Sequence, residues 1–254
     1  MSTFPDQFRL DGRTALVTGS GRGLGWEMAN GLAEAGARVL LHGRSRERLS
    51  TQVETLRRAG RACDALGFDM ADRAAMAAEI ATAGPIDILI HNVGERDRRP
   101  FADIAADDFA RLIDVDLSAA HALVKHVVPG MVERRWGRLI MVTSIVADLA
   151  VPGAASYIAA KGGLAALSRA LAAELGATGV TSNALSPGFF ATETNDQLIA
   201  SPAGERQRQR CPAKRWAEPR EIAGAAIFLA SPAASYINGH TLTVDGGVSA
   251  TYMS

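Results

Sequence analysis

The chain has 254 residues, with 27 Lys+Arg against 27 Asp+Glu, 48% hydrophobic and 21% charged residues, and two cysteines. A formal charge of zero argues against nucleic acid or an anionic membrane as partner. Cys63 and Cys211 are too few for a disulfide scaffold, and fit free thiols in a reducing compartment. The opening MSTFPDQFRLDGR lacks a basic-then-apolar leader, and no apolar run approaches the roughly 18 residues that span a bilayer. The expectation is a soluble cytoplasmic protein acting on a small molecule.

Residues 1–12 read as a short arm ending in the Asp11-Gly12 turn. Thr14 to Thr18 is a buried strand that runs into a Gly-rich turn, Gly19 to Gly25, and then a helix, GWEMANGLAEAG. Arg38 to His42 is a second apolar strand, 46–59 a helix, and a third strand ends near Phe68-Asp69. An Ala-rich helix covers 72–83, and Asp87 to His91 is a fourth strand. After a loop over 94–106, a long helical pattern spans about 107–134. Arg138 to Thr143 is the fifth strand, and a helix carrying Tyr157 runs to about Ala177. Val180 to Leu185 is the sixth strand; 188–217 is irregular or helical, 219–230 a helix and 241–244 the last strand.

Short apolar strands alternating with helices predict an α/β fold: one Rossmann-like, doubly wound parallel sheet with helices on both faces. No repeat or linker-like shift interrupts it, so 1–254 reads as a single domain. In such sheets ligands bind beyond the carboxyl ends of the strands. Gly19, Arg44, Asp69, Asn92, Ser144 and Pro187 all fall at those ends.

Two stretches carry chemistry. Glycines in TGSGRGLG, residues 18–25, allow positive φ and close backbone approach, and the following helix start offers unpaired N–H groups to a pyrophosphate. The same turn without a ligand is the plainer alternative. Tyr157 and Lys161 lie at i and i+4 on one helix face, thirteen and seventeen residues after Ser144. An ammonium beside a phenol favours the phenolate, which makes the phenol usable as proton donor and acceptor.

Together these motifs resemble the short-chain dehydrogenase/reductase family. The resemblance covers TGSGRGLG, Asp69, HNVG at 91–94, Ser144 with Tyr157 and Lys161, Ser-Pro-Gly at 186–188, and VDGG at 244–247. It implies a reversible NAD(P)-dependent alcohol–carbonyl oxidoreductase. By that resemblance Tyr157 exchanges the substrate proton, and Lys161 assists it and holds the nicotinamide ribose. Ser144 holds the substrate oxygen. Gly19, Ser20, Arg22, Gly23, Leu24, Gly25, Asp69, Met70, Asn92 and Gly94 line the cofactor's adenosine and pyrophosphate side. Pro187, Gly188 and Thr192 line its nicotinamide end, with plain loop-shaping as the alternative for Asn92 and for Pro187-Gly188.

Two positions depart from the family pattern. Asp116 stands where the family has Asn, in IDVDLSAAH, and His91 replaces the first Asn of NNAG. Asp116 is a candidate catalytic residue with three readings: a backbone role that survives the change, a carboxylate that pairs with Lys161, or a helix-surface Asp. His91 reads as hydrogen-bonded structure.

An Asp at the end of the second strand would mark NAD. Here that position is Gly43, followed by Arg44, with Arg22 in the phosphate turn. Guanidiniums without a carboxylate suit a 2′-phosphate, so NADP is expected, with NAD possible. Basic clusters at Arg96-Asp97-Arg98-Arg99 and at Arg206, Arg208, Arg210, Lys214 and Arg215 suggest an anionic substrate. Within the family, RDRRPF, CPAKRWAEPREIAGAAIFLAS and INGHTLTVDGG resemble the gluconate 5-dehydrogenases, with Arg98 as partner of a substrate carboxylate. A 3-oxoacyl-thioester or other small-ketone reductase is the alternative enzyme, and a non-catalytic nucleotide-binding protein the alternative class. A homotetramer or homodimer is implied by the family alone. No metal constellation is present in the sequence.

Overall fold

Seven apolar segments too short to bury themselves as helices pair into one parallel sheet, and the intervening segments cover it. A computed structural model describes residues 3–251, so the first two residues of the N-terminal arm lie outside the described residues. In chain order the elements are β1 (Thr14–Val17), α1 (Gly23–Glu34), β2 (Arg38–Gly43), α2 (Ser50–Arg58), β3 (Cys63–Gly67), α3 (Arg73–Thr82) and β4 (Ile88–His91). There follow α4 (Ala106–Ile113), α5 (Ala119–Glu133), β5 (Gly137–Val142), α6 (Ala155–Leu175) and β6 (Val180–Pro187). Last come α7 (Asp196–Ile199), α8 (Pro202–Arg210), α9 (Ala223–Ala230) and β7 (Thr241–Val244).

The strand order is β3-β2-β1-β4-β5-β6-β7, with every pairing parallel. The chain builds outward from β1 to β3, then returns to β1's other side at β4. That reversal opens a crevice at the carboxyl ends of β1 and β4. Alternate strand residues feed opposite faces. Ala15, Val17, Val39, Leu41, Ile88 and Ile90 pack under α1, α2 and α9. Leu16, Leu40, Leu66, Leu89, Leu139 and Met141 pack under α3, α5 and α6. Each fully buried leucine contributes about 1.5–3 kcal/mol.

The pattern expected to be one long helix over 107–134 is broken. α4 and α5 are joined by a π-helical turn, Asp114–Ser118. The extra residue of a π turn shifts the phase of the faces on either side. It carries Asp116 inward, to 0% exposure, so the helix-surface reading of Asp116 is wrong. The 188–217 stretch resolves into a 3-10 turn, α7 and α8.

Candidate active site

The crevice is a cleft of about 790 Å³ that runs from the Gly-rich turn to the start of α6. The first end is built by the turn after β1. Gly19 and Gly23 have φ of +63° and +55°, which a side chain would strain. Gly25 meets the carbonyl of Gly19 so closely that a Cβ on it would lie 2.2 Å from that oxygen. Thr18 Oγ1 accepts from the N–H groups of Asn92 (2.9 Å) and Val93 (3.1 Å). The Asn92 amide donates back to the carbonyls of Thr18 (3.1 Å) and Gly19 (3.3 Å). Asn92 therefore braces the turn while also lining the cleft. The N–H groups of Gly23, Leu24 and Gly25 open α1 and have no helical partner.

His42 completes the brace. Gly19 N–H donates to His42 Nδ1 (3.2 Å), and His42 Nε2 donates to the Phe68 carbonyl (3.1 Å). This network places the ring proton on Nε2. Burial holds the His42 pKa down to about 4, which keeps Nδ1 an acceptor at neutral pH. Ser20, expected among the cofactor-binding residues, is turned away from the cleft. Its N–H donates to the His42 carbonyl (3.0 Å), and its Oγ accepts from the His42 N–H (2.9 Å). The other expected residues of this end, Gly19, Arg22, Gly23, Leu24, Gly25, Arg44, Asp69, Met70, Asn92 and Gly94, line the cleft.

Arg22, Arg44 and Arg48 sit together where the cleft passes the end of β2. None of them makes an ion pair among the described residues, whereas neighbouring Arg46 is committed to Glu79 at 2.7 Å. Gly43 supplies no carboxylate there. This donor set fits a phosphorylated ribose, and the glycine cradle fits a pyrophosphate, so the residues present match NADP. No group of three or more metal-ligating side chains occurs among the described residues.

The second end is built by the last turns of β5 and the first of α6. Ser144 caps a 3-10 turn after β5, its Oγ accepting from Val146 N–H at 3.4 Å. Tyr157 and Lys161 both line the cleft with it, and Lys161 Nζ lies 5.7 Å from the Tyr157 ring centre. Lys161 is buried and donates to the Val142 carbonyl at 3.0 Å. Pro187, Gly188 and Thr192 line the floor beyond it.

Behind Lys161 stands Asp116. Its Oδ1 accepts from Glu95 N–H (2.8 Å), its backbone carbonyl accepts from His91 Nε2 (3.0 Å), and its buried Oδ2 has no partner. An unpaired buried polar atom costs about 1–3 kcal/mol. Burial, only partly offset by Lys161, pushes the Asp116 pKa up to about 6. His91 is wholly buried, and burial followed by the Lys161 charge depresses its pKa to about 3, so it is the neutral structural residue expected.

The basic loop sorts differently from expectation. Arg98 is exposed and does not line the cleft; its main chain packs against Gly153. Arg99 is held by Asp97 (2.5 Å) and Asp108 (2.7 Å). Arg96 is the arginine that reaches the cleft. Its guanidinium stands 5.6 Å from the Tyr157 ring centre and donates to Asn195 Oδ1 at 3.2 Å. In the second cluster, Arg208 pairs with Glu205 and Arg215 with Glu221, each at 2.6 Å. Neither lines the cleft. His42, Arg48 and Asn195 were thus missed, and Arg96 was named only as a member of its basic cluster. A strand-end position marked His42, and membership of a basic loop marked Arg96.

The family model described as enoyl-(acyl carrier protein) reductase matches residues 19–249. The gluconate 5-dehydrogenase of Gluconobacter oxydans is 38% identical, covering 96% of this chain and 97% of that one. The 2-dehydro-3-deoxy-D-gluconate 5-dehydrogenase of Formosa agariphila is also 38% identical, over 97% of this chain and 96% of its own length. A gluconate 5-dehydrogenase from Burkholderia cenocepacia, solved with NADP and tartrate, is 40% identical with a TM-score of 0.93. It covers 97% of this chain and 99% of its own.

Proposed function

The chain belongs to the short-chain dehydrogenase/reductase family, and from that premise we propose an NADP-dependent oxidoreductase that interconverts a secondary alcohol and a ketone on a sugar acid, as the gluconate 5-dehydrogenases do. The observation that carries the sugar-acid reading is Arg96. It is a cation at the cleft wall beside Tyr157, with no carboxylate partner among the described residues. A carboxylate on the substrate would supply the missing charge and fix the orientation of the chain of hydroxyls.

NADP, when bound, supplies or takes up the hydride. The turn from Gly19 to Gly25 would hold its pyrophosphate, and Arg44, with Arg22 and Arg48, its 2′-phosphate. Asp69, Met70, Asn92 and Gly94 would border the adenosine side, and Pro187, Gly188 and Thr192 the nicotinamide side. Tyr157 donates a proton to the carbonyl oxygen in reduction and removes it from the alcohol in oxidation. Ser144 Oγ holds the same oxygen and stabilises charge developing on it. Lys161, its Nζ 5.7 Å from the Tyr157 ring centre, would assist that proton exchange and hold the nicotinamide ribose.

We also infer a single NAD(P)-binding domain over 1–254, a cytoplasmic location and a homotetramer or homodimer. The one continuous sheet supports the first. Among the described residues no helix is long and apolar enough to cross a membrane, which accords with the second. Phe101 and Phe109, near α4, are 82% and 40% exposed, which suits a covered face in an oligomer.

The test compares Arg96→Ala with Arg98→Ala. Arg96→Ala is expected to raise KM for a keto sugar acid about 10- to 100-fold, while KM for an uncharged ketone moves less than about twofold. Arg98→Ala is expected to leave both unchanged. Parallel shifts for charged and uncharged substrates, or faster turnover of acetoacetyl thioesters than of sugar acids, would overturn the substrate class.

A further inference from the structure

Asp116 Oδ2 is buried, unpartnered and aimed at the catalytic lysine. A Cβ built on Gly94 would fall 2.7 Å from Lys161 Nζ and 3.1 Å from Asp116 Oδ2. The two groups therefore face each other across the space that Gly94 leaves empty. Among the described residues they form no direct ion pair. The main-chain carbonyl of Asp116 already accepts from His91 Nε2 at 3.0 Å. The oxygen of residue 116 left with no donor at all is the side-chain Oδ2, which borders the same space as Lys161 Nζ.

We propose that Asp116 is a positioning residue for proton transfer: through Lys161, its carboxylate sets how much of the ammonium charge acts on the Tyr157 phenol. The inference rests on the oxidoreductase reading above. With the carboxylate ionised, its negative charge offsets the ammonium. With it protonated, the ammonium acts on the phenol in full. The raised pKa of Asp116 places that change near pH 6. Other charged or titratable groups around it are Lys161 from α6, neutral His91 from β4, Glu95 from the loop after β4, and Arg111 from α4. Glu95 and Arg111 are paired with each other, which leaves Lys161 as the unpaired opposite charge.

Asp116→Asn keeps an acceptor for Glu95 N–H and removes the charge, and Asp116→Ser removes the charge in a smaller side chain. Alcohol oxidation requires the phenolate, so its kcat/KM rises with pH. In both variants that rise is expected to move to lower pH by about half a unit or more, because a negative charge near the phenolate is gone. Kd for NADPH should stay within about twofold. A second readout is independent of turnover. The fold disfavours ionised Asp116, so wild-type stability from this group falls as pH rises from about 4 to about 6. The Tm of Asp116→Asn minus that of wild type should therefore be larger at pH 7 than at pH 4. A folded variant with an unmoved pH profile, or a pH-independent Tm difference, overturns the inference. Wild type inactive on every alcohol and ketone overturns the oxidoreductase reading, and the inference falls with it.

Discussion

The two ends of the cleft are built in different ways. The cofactor end is centred on one continuous strand–turn–helix, Thr14 to Glu34, in which Gly25 packs against Gly19, with His42 of β2 and Asn92 after β4 as its two outside braces. Its demands are local, and a residue's type nearly states its role. The proton-transfer end gathers Ser144 after β5, Tyr157 and Lys161 on α6, Asp116 from a π turn and Arg96 from a loop. Its demands are met by side chains far apart in sequence. A local site tolerates little change at its backbone. A gathered site depends on which side chain each segment happens to turn inward.

The largest expected effect separates chemistry from binding. Tyr157→Phe removes the exchangeable proton and leaves the ring beside Arg96. Turnover should fall about 10³-fold, with Kd for NADPH within about twofold as read by fluorescence titration. Loss of binding along with turnover would mean that the two ends are not separable.

Gly25→Ala should do the opposite. Its Cβ would sit 2.2 Å from the Gly19 oxygen, so the turn must open. NADPH affinity should weaken about 100-fold, and Gly25→Ala should crystallise with a displaced turn. Binding at wild-type strength would show that the cradle is more pliant than its contacts indicate. Next in size is Arg44→Ala, expected to lower the NADP/NAD ratio of kcat/KM about 10-fold, and further when combined with Arg48→Ala. An unchanged ratio would remove these arginines from 2′-phosphate recognition.

The same contrast explains what could be read from the sequence. The strands were legible because four to eight apolar residues between turns have few other uses. The Gly-rich turn and the Ser144, Tyr157 and Lys161 set were legible because spacing alone puts them at strand ends or on one helix face. Asp116 was not, because a 3.6-residue period assumes an unbroken helix, and one π turn changes which face looks inward. The choice of Arg96 over Arg98 was not, because a loop has no period from which side-chain direction follows. Ser20 was misplaced for a related reason: within a tight turn neighbouring residues point to opposite sides, and Ser20 points at His42.

His42 joins the two regimes, since a residue from β2 gives the local turn its acceptor. In the folded chain its pKa is depressed to about 4 from an ordinary 6.5. A depressed histidine contributes stability that is complete above about pH 6.5 and lost as pH falls toward 4, because the unfolded chain binds the proton first. At pH 5.5 the loss from this one group is about 1 kcal/mol. His91 titrates in the same direction and Asp116 in the opposite one, so the wild-type pH curve alone cannot assign it. Comparison with His42→Gln isolates it: denaturant unfolding at pH 7.5 and 5.5 should show wild type losing about 1 kcal/mol more than His42→Gln. Protonated Nδ1 cannot accept from Gly19 N–H, so wild-type NADPH affinity should hold down to pH 5.5 and weaken only as pH falls toward 4, a change that His42→Gln should blunt. Equal pH dependence in the two proteins would mean that Gly19 is held by its backbone geometry and does not need the imidazole.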